Sequence, residues 1–439
     1  MQKNNVPLNT AQWLVLSTLF VLCYWPTYFI LSVEPAVMQK SHFIIMLGYL
    51  LVVTFATRTS LKVPNIALIY LLPLVAMLSS FLFNIPDFKA FHISVLVKPI
   101  LLFFYVLFFY SLFCAHFSNK NTTNIKSTLN VIFYLQLVVI VLQITLGDIP
   151  PLKILSFKDV YTGFGFRAPG TFDWVYVTCY FFNFYLAYYL IDFYLTEKKK
   201  KAVFLIVLSL LVIFLSQSKT GYLATAFIAL YFVFLSALLK LNIAKKIIIT
   251  ILMTIVLIAS LIIYLGINLD YITTFIELIQ QGKLDGSTST RKQQTLIALS
   301  EGLTYWYSGS PLALKGYIIE NSYLDYLFRY GLMGLIVFML MVTIFYFYSL
   351  QTCINCKRLF DKGFIKYETL QLSIACHIST LAAPIYSFTG TPIDGYRSAI
   401  WSCLIIAMVG FINSATKNSK ALSRLPTTKN LSDTKKING

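Results

Sequence analysis

Apolar runs recur along the whole chain, and they constrain the fold more than any motif does. They fall near 11–33, 42–57, 64–84, 94–117, 128–146, 174–195, 202–217, 219–239, 247–266, 323–350, 370–388 and 398–415. Roughly twenty apolar residues cross the hydrocarbon core of a bilayer as a helix. A helix is the natural form there, because backbone polar groups find no water in lipid and must pair within the segment. The chain of 439 residues is 58% hydrophobic and only 12% charged. A soluble domain carries about a quarter charged residues, so an ordinary globular enzyme is excluded. Disorder is excluded too, since it needs low hydrophobicity. The expectation is an all-α polytopic membrane domain over 1–415, crossing about twelve times. A basic tail over 416–439 follows and is expected to be disordered. The run 11–33 has no small-residue cleavage site after it and reads as a retained span.

Lys and Arg in the short loops set orientation. The segments holding Lys3, Arg58, Lys62, Lys120, Lys126, Lys198 to Lys201, Lys240, Lys245, Lys246, Lys357, Arg358, Lys362, Lys366 and the tail contain most of the 35 basic residues. Only Asp192, Glu197, Asp361, Glu368 and Asp433 of the 17 acidic residues lie with them. Nearly all of the net charge of +18 therefore falls on one side, which is expected to be cytoplasmic and to hold both termini. The excess attracts anionic lipid headgroups; nucleic acid is not an expected partner. The seven cysteines lie mostly inside apolar runs and read as small buried side chains, Cys353 and Cys356 included.

The opposite side carries two long segments, about 147–173 and 267–322. Long ordered loops are usually functional. The second has an amphipathic pattern from Arg291 to Tyr307, with Leu296, Ile297, Leu299, Leu303 and Tyr307 at helical spacing. This predicts a helix lying on the membrane surface. Charged residues at or inside spans are costly and mark candidate sites. Arg167, Asp173, Lys219, Arg291, Glu320, Asp325, Arg329 and Arg397 gather on this side. Each taken alone could be an interfacial residue whose head snorkels to water.

Ser216-Gln217-Ser218-Lys219-Thr220-Gly221 is similar to the Ser-Arg-x-Gly hairpin of the O-antigen polymerase and O-antigen ligase superfamily, with Lys in place of Arg. Arg167-Ala168-Pro169-Gly170-Thr171-Phe172 resembles the Arg-x-x-Gly-Thr-Phe that closes its earlier large loop. Ten residues separate Arg291 from Gly302, as in Wzy-type polymerases; after Arg167 the Gly position is taken by Thr178. Glu320-Asn321-Ser322-Tyr323-Leu324, followed by Gly331-Leu332-Met333-Gly334, resembles the segment leading into the next span. The ligase branch has His where this chain has Glu320, which favours polymerase over ligase.

The resemblance implies an architecture like the GT-C-type membrane glycosyltransferases, in a bacterial inner membrane, with a periplasmic site. It implies oligosaccharide repeat units on undecaprenyl diphosphate as substrates, joined into a surface polysaccharide, and a chain-length regulator protein as a partner. A diphosphate leaving group gains negative charge in the transition state, so fixed cations lower the barrier. Arg167, Lys219 and Arg291 are the expected diphosphate clamp, with Arg397 a fourth member. Glu320 is the candidate general base for the acceptor hydroxyl, and Arg291 counts as catalytic with it. Trp306, Tyr323 and Asn321 are candidate sugar contacts. No Asp-x-Asp pair lies in the long loops, so metal-independent action without a cofactor is expected. Two alternatives stand: a ligase moving polymer to lipid A core, and a lipid-linked oligosaccharide flippase. A transporter should place polar groups at mid-membrane and show repeat symmetry, whereas these gather at one side.

Overall fold

The fold is taken from a computed structural model. It describes residues 35–84, 93–117, 122–147, 149–156, 160–162, 165–172, 174–196, 199–241, 270–393, 395 and 397–422, with scattered positions before 35 and between 249 and 260. The runs expected at 11–33 and 247–266, Asp173 and the tail beyond 422 lie largely or wholly outside these residues.

Each described apolar run is helical. In chain order the helices are α1 (Pro35–Ala56), a 3-10 segment (Asn65–Leu71) leading into α2 (Leu72–Phe83), α3 (Ile93–His116) and α4 (Thr122–Leu146). The first long loop holds α5 (Pro150–Leu155) and a two-residue bridge between β1 (Tyr161–Thr162) and β2 (Gly165–Phe166). Then come α6 (Val175–Leu195), α7 (Lys199–Leu215) and α8 (Lys219–Leu238). The second long loop folds as α9 (Asp270–Gln280), α10 (Gly286–Thr304) and α11 (Pro311–Leu314). Last are α12 (Ser322–Asp361), α13 (Tyr367–Tyr386) and α14 (Arg397–Leu422). Helix α14 continues past Ala415 into the polar stretch assigned to the tail.

Six helical stretches among the described residues are long and apolar enough to cross a membrane: Asn65–Phe83, Leu96–His116, Ile125–Leu146, Lys219–Leu238, Ser322–Asp361 and Arg397–Asn418. The chain is therefore an α-helical protein built for a membrane. Helices α6 and α13 fall outside that set because they carry many polar side chains, and these are used inside the bundle. Asn183 donates to the Tyr386 hydroxyl at 2.7 Å, and Gln371 donates to the Tyr188 carbonyl at 2.9 Å. His377 shares hydrogen bonds with Tyr231 and Ser349. Without water, such groups hold helices together. Helix α6 packs on α7 and α13, and α14 packs on α3 and α12. Helices α6 and α14 are buried on nearly every side. By contrast α2, α8 and α12 present apolar side chains outward, such as Leu82, Leu223, Leu230 and Ile336.

The bundle has two unlike ends. At one, Lys126 of α4 pairs with Asp192 of α6 at 2.7 Å. At the other the two long loops meet, and the candidate residues lie there. Helix α12 is two helices in one: Gly331 sits at φ 66°, ψ −160° and breaks it after the second turn. The chain segment 305–310 is seated on that break. Leu332 donates its backbone N–H to Trp306, Ser310 donates to Phe328, and Ser80 of α2 donates to Ser308.

Candidate functional site

The segment Arg167 to Phe172 enters the bundle instead of lying over it. Ala168, Thr171 and Phe172 are essentially inaccessible. A buried loop must satisfy its backbone polar groups one by one, and side chains from three helices do so. Gln143 of α4 closes a double hydrogen bond with Gly170, 2.9 Å to the amide and 2.8 Å to the carbonyl. Gln136 of α4 accepts from the Thr171 amide and donates to its hydroxyl. Thr178 of α6 donates to the Pro169 carbonyl. Arg397, at the start of α14, donates to the Thr171 carbonyl. Gly170 has φ +63°, and a Cβ there would stand 3.1 Å from the Gln136 amide oxygen. Arg397, expected in the clamp, is thus fully buried and gives at least one N–H to holding this loop.

Arg167 is partly buried and points Nη2 at the Gln217 carbonyl, 3.5 Å away. Gln217 is the middle of the α7–α8 turn and adopts φ 46°, a left-handed conformation uncommon outside glycine. Ser218 caps α8 by accepting from the Gly221 amide at 3.1 Å. Gly221 lets α8 lie against α6: a Cβ there would come within 2.4 Å of the Cys179 sulfur. Arg167 and Lys219 therefore flank one tight turn.

The second loop docks on that turn. Helix α9 runs beside β2. Lys219 Nζ lies 2.9 Å from Asp285, the residue that begins α10. An acidic group suits a helix start, where the free backbone N–H groups carry partial positive charge. Burial alone would raise the Asp285 carboxyl. Hydrogen bonds from Thr288 and Lys219, with the Lys219 charge, outweigh it and hold the group below the ordinary carboxylate range. The depressed value means the contact stabilises fully above the unfolded carboxylate range and is lost as pH falls through the folded one. Asp285→Asn should therefore lower the melting temperature of purified protein at neutral pH. The gap to wild type should narrow below about pH 4; a pH-independent gap would mean that this carboxylate is not what holds the turn.

Further along α10, Arg291 Nε donates to Glu320 at 2.9 Å, and both side chains are about one-third exposed. Glu320 also donates its backbone N–H to Gln294. The next residue, Asn321, caps α12 by accepting from the Leu324 amide at 3.2 Å; its side chain, expected at a sugar, is used in that cap. Tyr323 donates to the Pro384 carbonyl at 3.0 Å, and its ring lies 4.7 Å from that of Phe388. Trp306 is largely exposed, apart from Arg291 in sequence and just past the end of α10. Asp325 and Arg329 pair with each other at 2.7 Å.

Three of the expected clamp residues make separate contacts on neighbouring segments: Arg167 reaches the Gln217 carbonyl two residues before Lys219, Lys219 meets Asp285 at the start of α10, and Arg291, six residues further along α10, meets Glu320. Asp285 at Lys219, and Gln136 and Gln143 under the 167–172 loop, are not among the expected site residues. Amide side chains inside an apolar run are costly unless paired, and that signal could have pointed to the two glutamines. Nothing local could have pointed Asp285 at Lys219. A scan against protein-family models and a search of curated proteins find no match for this chain.

Proposed function

We propose that the chain is a membrane glycosyltransferase that polymerises lipid-diphosphate-linked oligosaccharide repeat units, of the O-antigen polymerase kind. The observation that carries this reading is that Arg167, Lys219 and Arg291 lie on segments that meet at one end of the bundle, with Arg291 paired to a carboxylate, Glu320. In the reaction, an acceptor hydroxyl oxygen bonds to the anomeric carbon of the donor sugar. The bond from that carbon to the diphosphate breaks, the diphosphate keeps the electron pair, and Glu320 takes the hydroxyl proton. The cations stabilise the charge that builds on the leaving diphosphate. The Arg291–Glu320 pair is part-exposed, and such a pair is worth at most about 1 kcal/mol. A multiply charged diphosphate can therefore compete for Arg291 and release Glu320 toward the acceptor.

Twelve spans, cytoplasmic termini, a GT-C-like arrangement and an inner-membrane location with a periplasmic site belong to the same proposal, as do the undecaprenyl carrier and a chain-length regulator. Clustering at one end of the bundle favours an enzyme over a flippase. Glu320 in place of His favours polymerase over ligase.

The test is made in cells. Deleting the gene should leave single repeat units on the surface with no ladder of longer chains, and restoring it should restore the ladder. An unchanged ladder would overturn the reading. Glu320→Gln should slow polymerisation about 100-fold, the lower range for a lost general base, at unchanged protein level. Full activity would leave Glu320 as the ion-pair partner of Arg291 alone.

A further inference from the structure

Helix α10 has three distinct sides. Ala298 and Gly302 face the bundle, and a Cβ on Gly302 would stand 2.7 Å from the Leu327 side chain. Gln293, Ser300 and Thr304 form a polar, exposed side. Between them, at 3.6 residues per turn, runs a stripe of Leu296, Leu299 and Leu303. Trp306 and Tyr307 extend it past the helix end. These five are 60%, 39%, 62%, 57% and 50% exposed. A water-facing surface does not carry a row of large apolar side chains without a reason.

The stripe does not end in the loop. The Tyr307 ring meets Phe83 edge-on, centroids 5.4 Å apart, and Phe83 ends the apolar stretch Asn65–Phe83. Leu332 donates its backbone N–H to Trp306 and opens the long second part of α12. Leu82, Phe83, Leu332, Met333 and Ile336 are all exposed and apolar. They belong to two of the helices suited to cross a membrane. The α10 stripe is thus continuous with the belt those helices turn outward. Lys292, exposed at the helix's first half, lies in line with the stripe, where a cation meets lipid phosphates.

We propose that α10 is an interfacial helix whose Leu296–Tyr307 stripe is covered by the bilayer itself, at the boundary of headgroups and acyl chains. The inference rests on the chain being a membrane protein and not on the reaction proposed above. Its consequence for that reaction is placement: Arg291, on the bundle side of the same helix, is carried at headgroup depth, where a lipid-borne diphosphate lies.

The experiment uses the full-length protein in phosphatidylcholine nanodiscs, with and without acyl chains brominated at their headgroup end. Wild type and Trp306→Phe are compared, so that the difference in emission reports Trp306. A helix lying about 5–10 Å into the interface should lose about half of the Trp306 emission to bromine and little to aqueous iodide. Leu299→Asp with Leu303→Asp should reverse that preference; if this double variant fails to fold, the wild-type comparison still decides. Quenching by iodide but not bromine would place the stripe in water. Protection from both would mean that protein covers it. Either result overturns the proposal, and neither bears on the polymer ladder.

Discussion

Arg291→Ala should abolish long-chain polysaccharide while single repeat units still appear. Removing one preorganised donor from a developing negative charge costs about 100-fold or more in rate, ~2.7 kcal/mol. A polymer built by many successive additions magnifies that loss into an empty ladder. The competing explanation is misfolding, and the magnitudes argue against it. Among the described residues Arg291 is held by Glu320, in a part-exposed ion pair worth at most about 1 kcal/mol. Protein level and melting temperature should therefore stay near wild type. Arg291→Lys supplies a point charge without the planar fork and should restore part of the ladder. A ladder of normal length from Arg291→Ala would remove this residue from the clamp.

Gly331→Ala should cost the fold itself. At φ 66°, ψ −160° the backbone lies where essentially only glycine is found, a strain of about 1–3 kcal/mol for other residues. A Cβ there would also stand 2.2 Å from the Trp306 carbonyl oxygen, and forcing extra atoms into a packed site adds about 1–3 kcal/mol. Relief would require the 305–310 segment to lift from α12, taking its hydrogen bonds to Ser80 and Phe328 with it. The expected readout is a large fall in monodisperse protein on gel filtration and in melting temperature. Gly363→Ala is the control. Gly363 also has positive φ, 74°, but nothing lies within 4 Å of its Cβ position. It should show only the backbone cost. If both variants melt alike, the seat against Trp306 contributes nothing.

Much of the membrane architecture is legible in the sequence because the bilayer acts as a solvent on each residue separately. Apolar runs therefore mark helices, as the runs from 42–57 onward do wherever the structure describes them. The stripe on α10 was visible for the same reason: leucines at helical spacing announce an apolar face. The cap at Asn321 is equally local, a side-chain oxygen just before a helix. The same side chain, expected at a sugar, accepts from the Leu324 amide.

The candidate site was legible as a list of residues and not as an arrangement. Arg291 and Glu320 both stood out, one as a clamp and one as a base, but their ion pair joins positions 29 apart. Arg397 looked like another member of the same set of cations. Its depth, and its bond to the Thr171 carbonyl, follow from how α14 packs beside the 167–172 loop.

The sequence by itself determined that this chain is helical and made for a membrane, since hydropathy acts residue by residue. Tertiary structure alone decided which partner each of these cations meets, that Gly331 divides α12, and that one expected clamp residue is instead buried under a loop. Those outcomes depend on contacts between segments far apart in the chain, and no local pattern of residues encodes them.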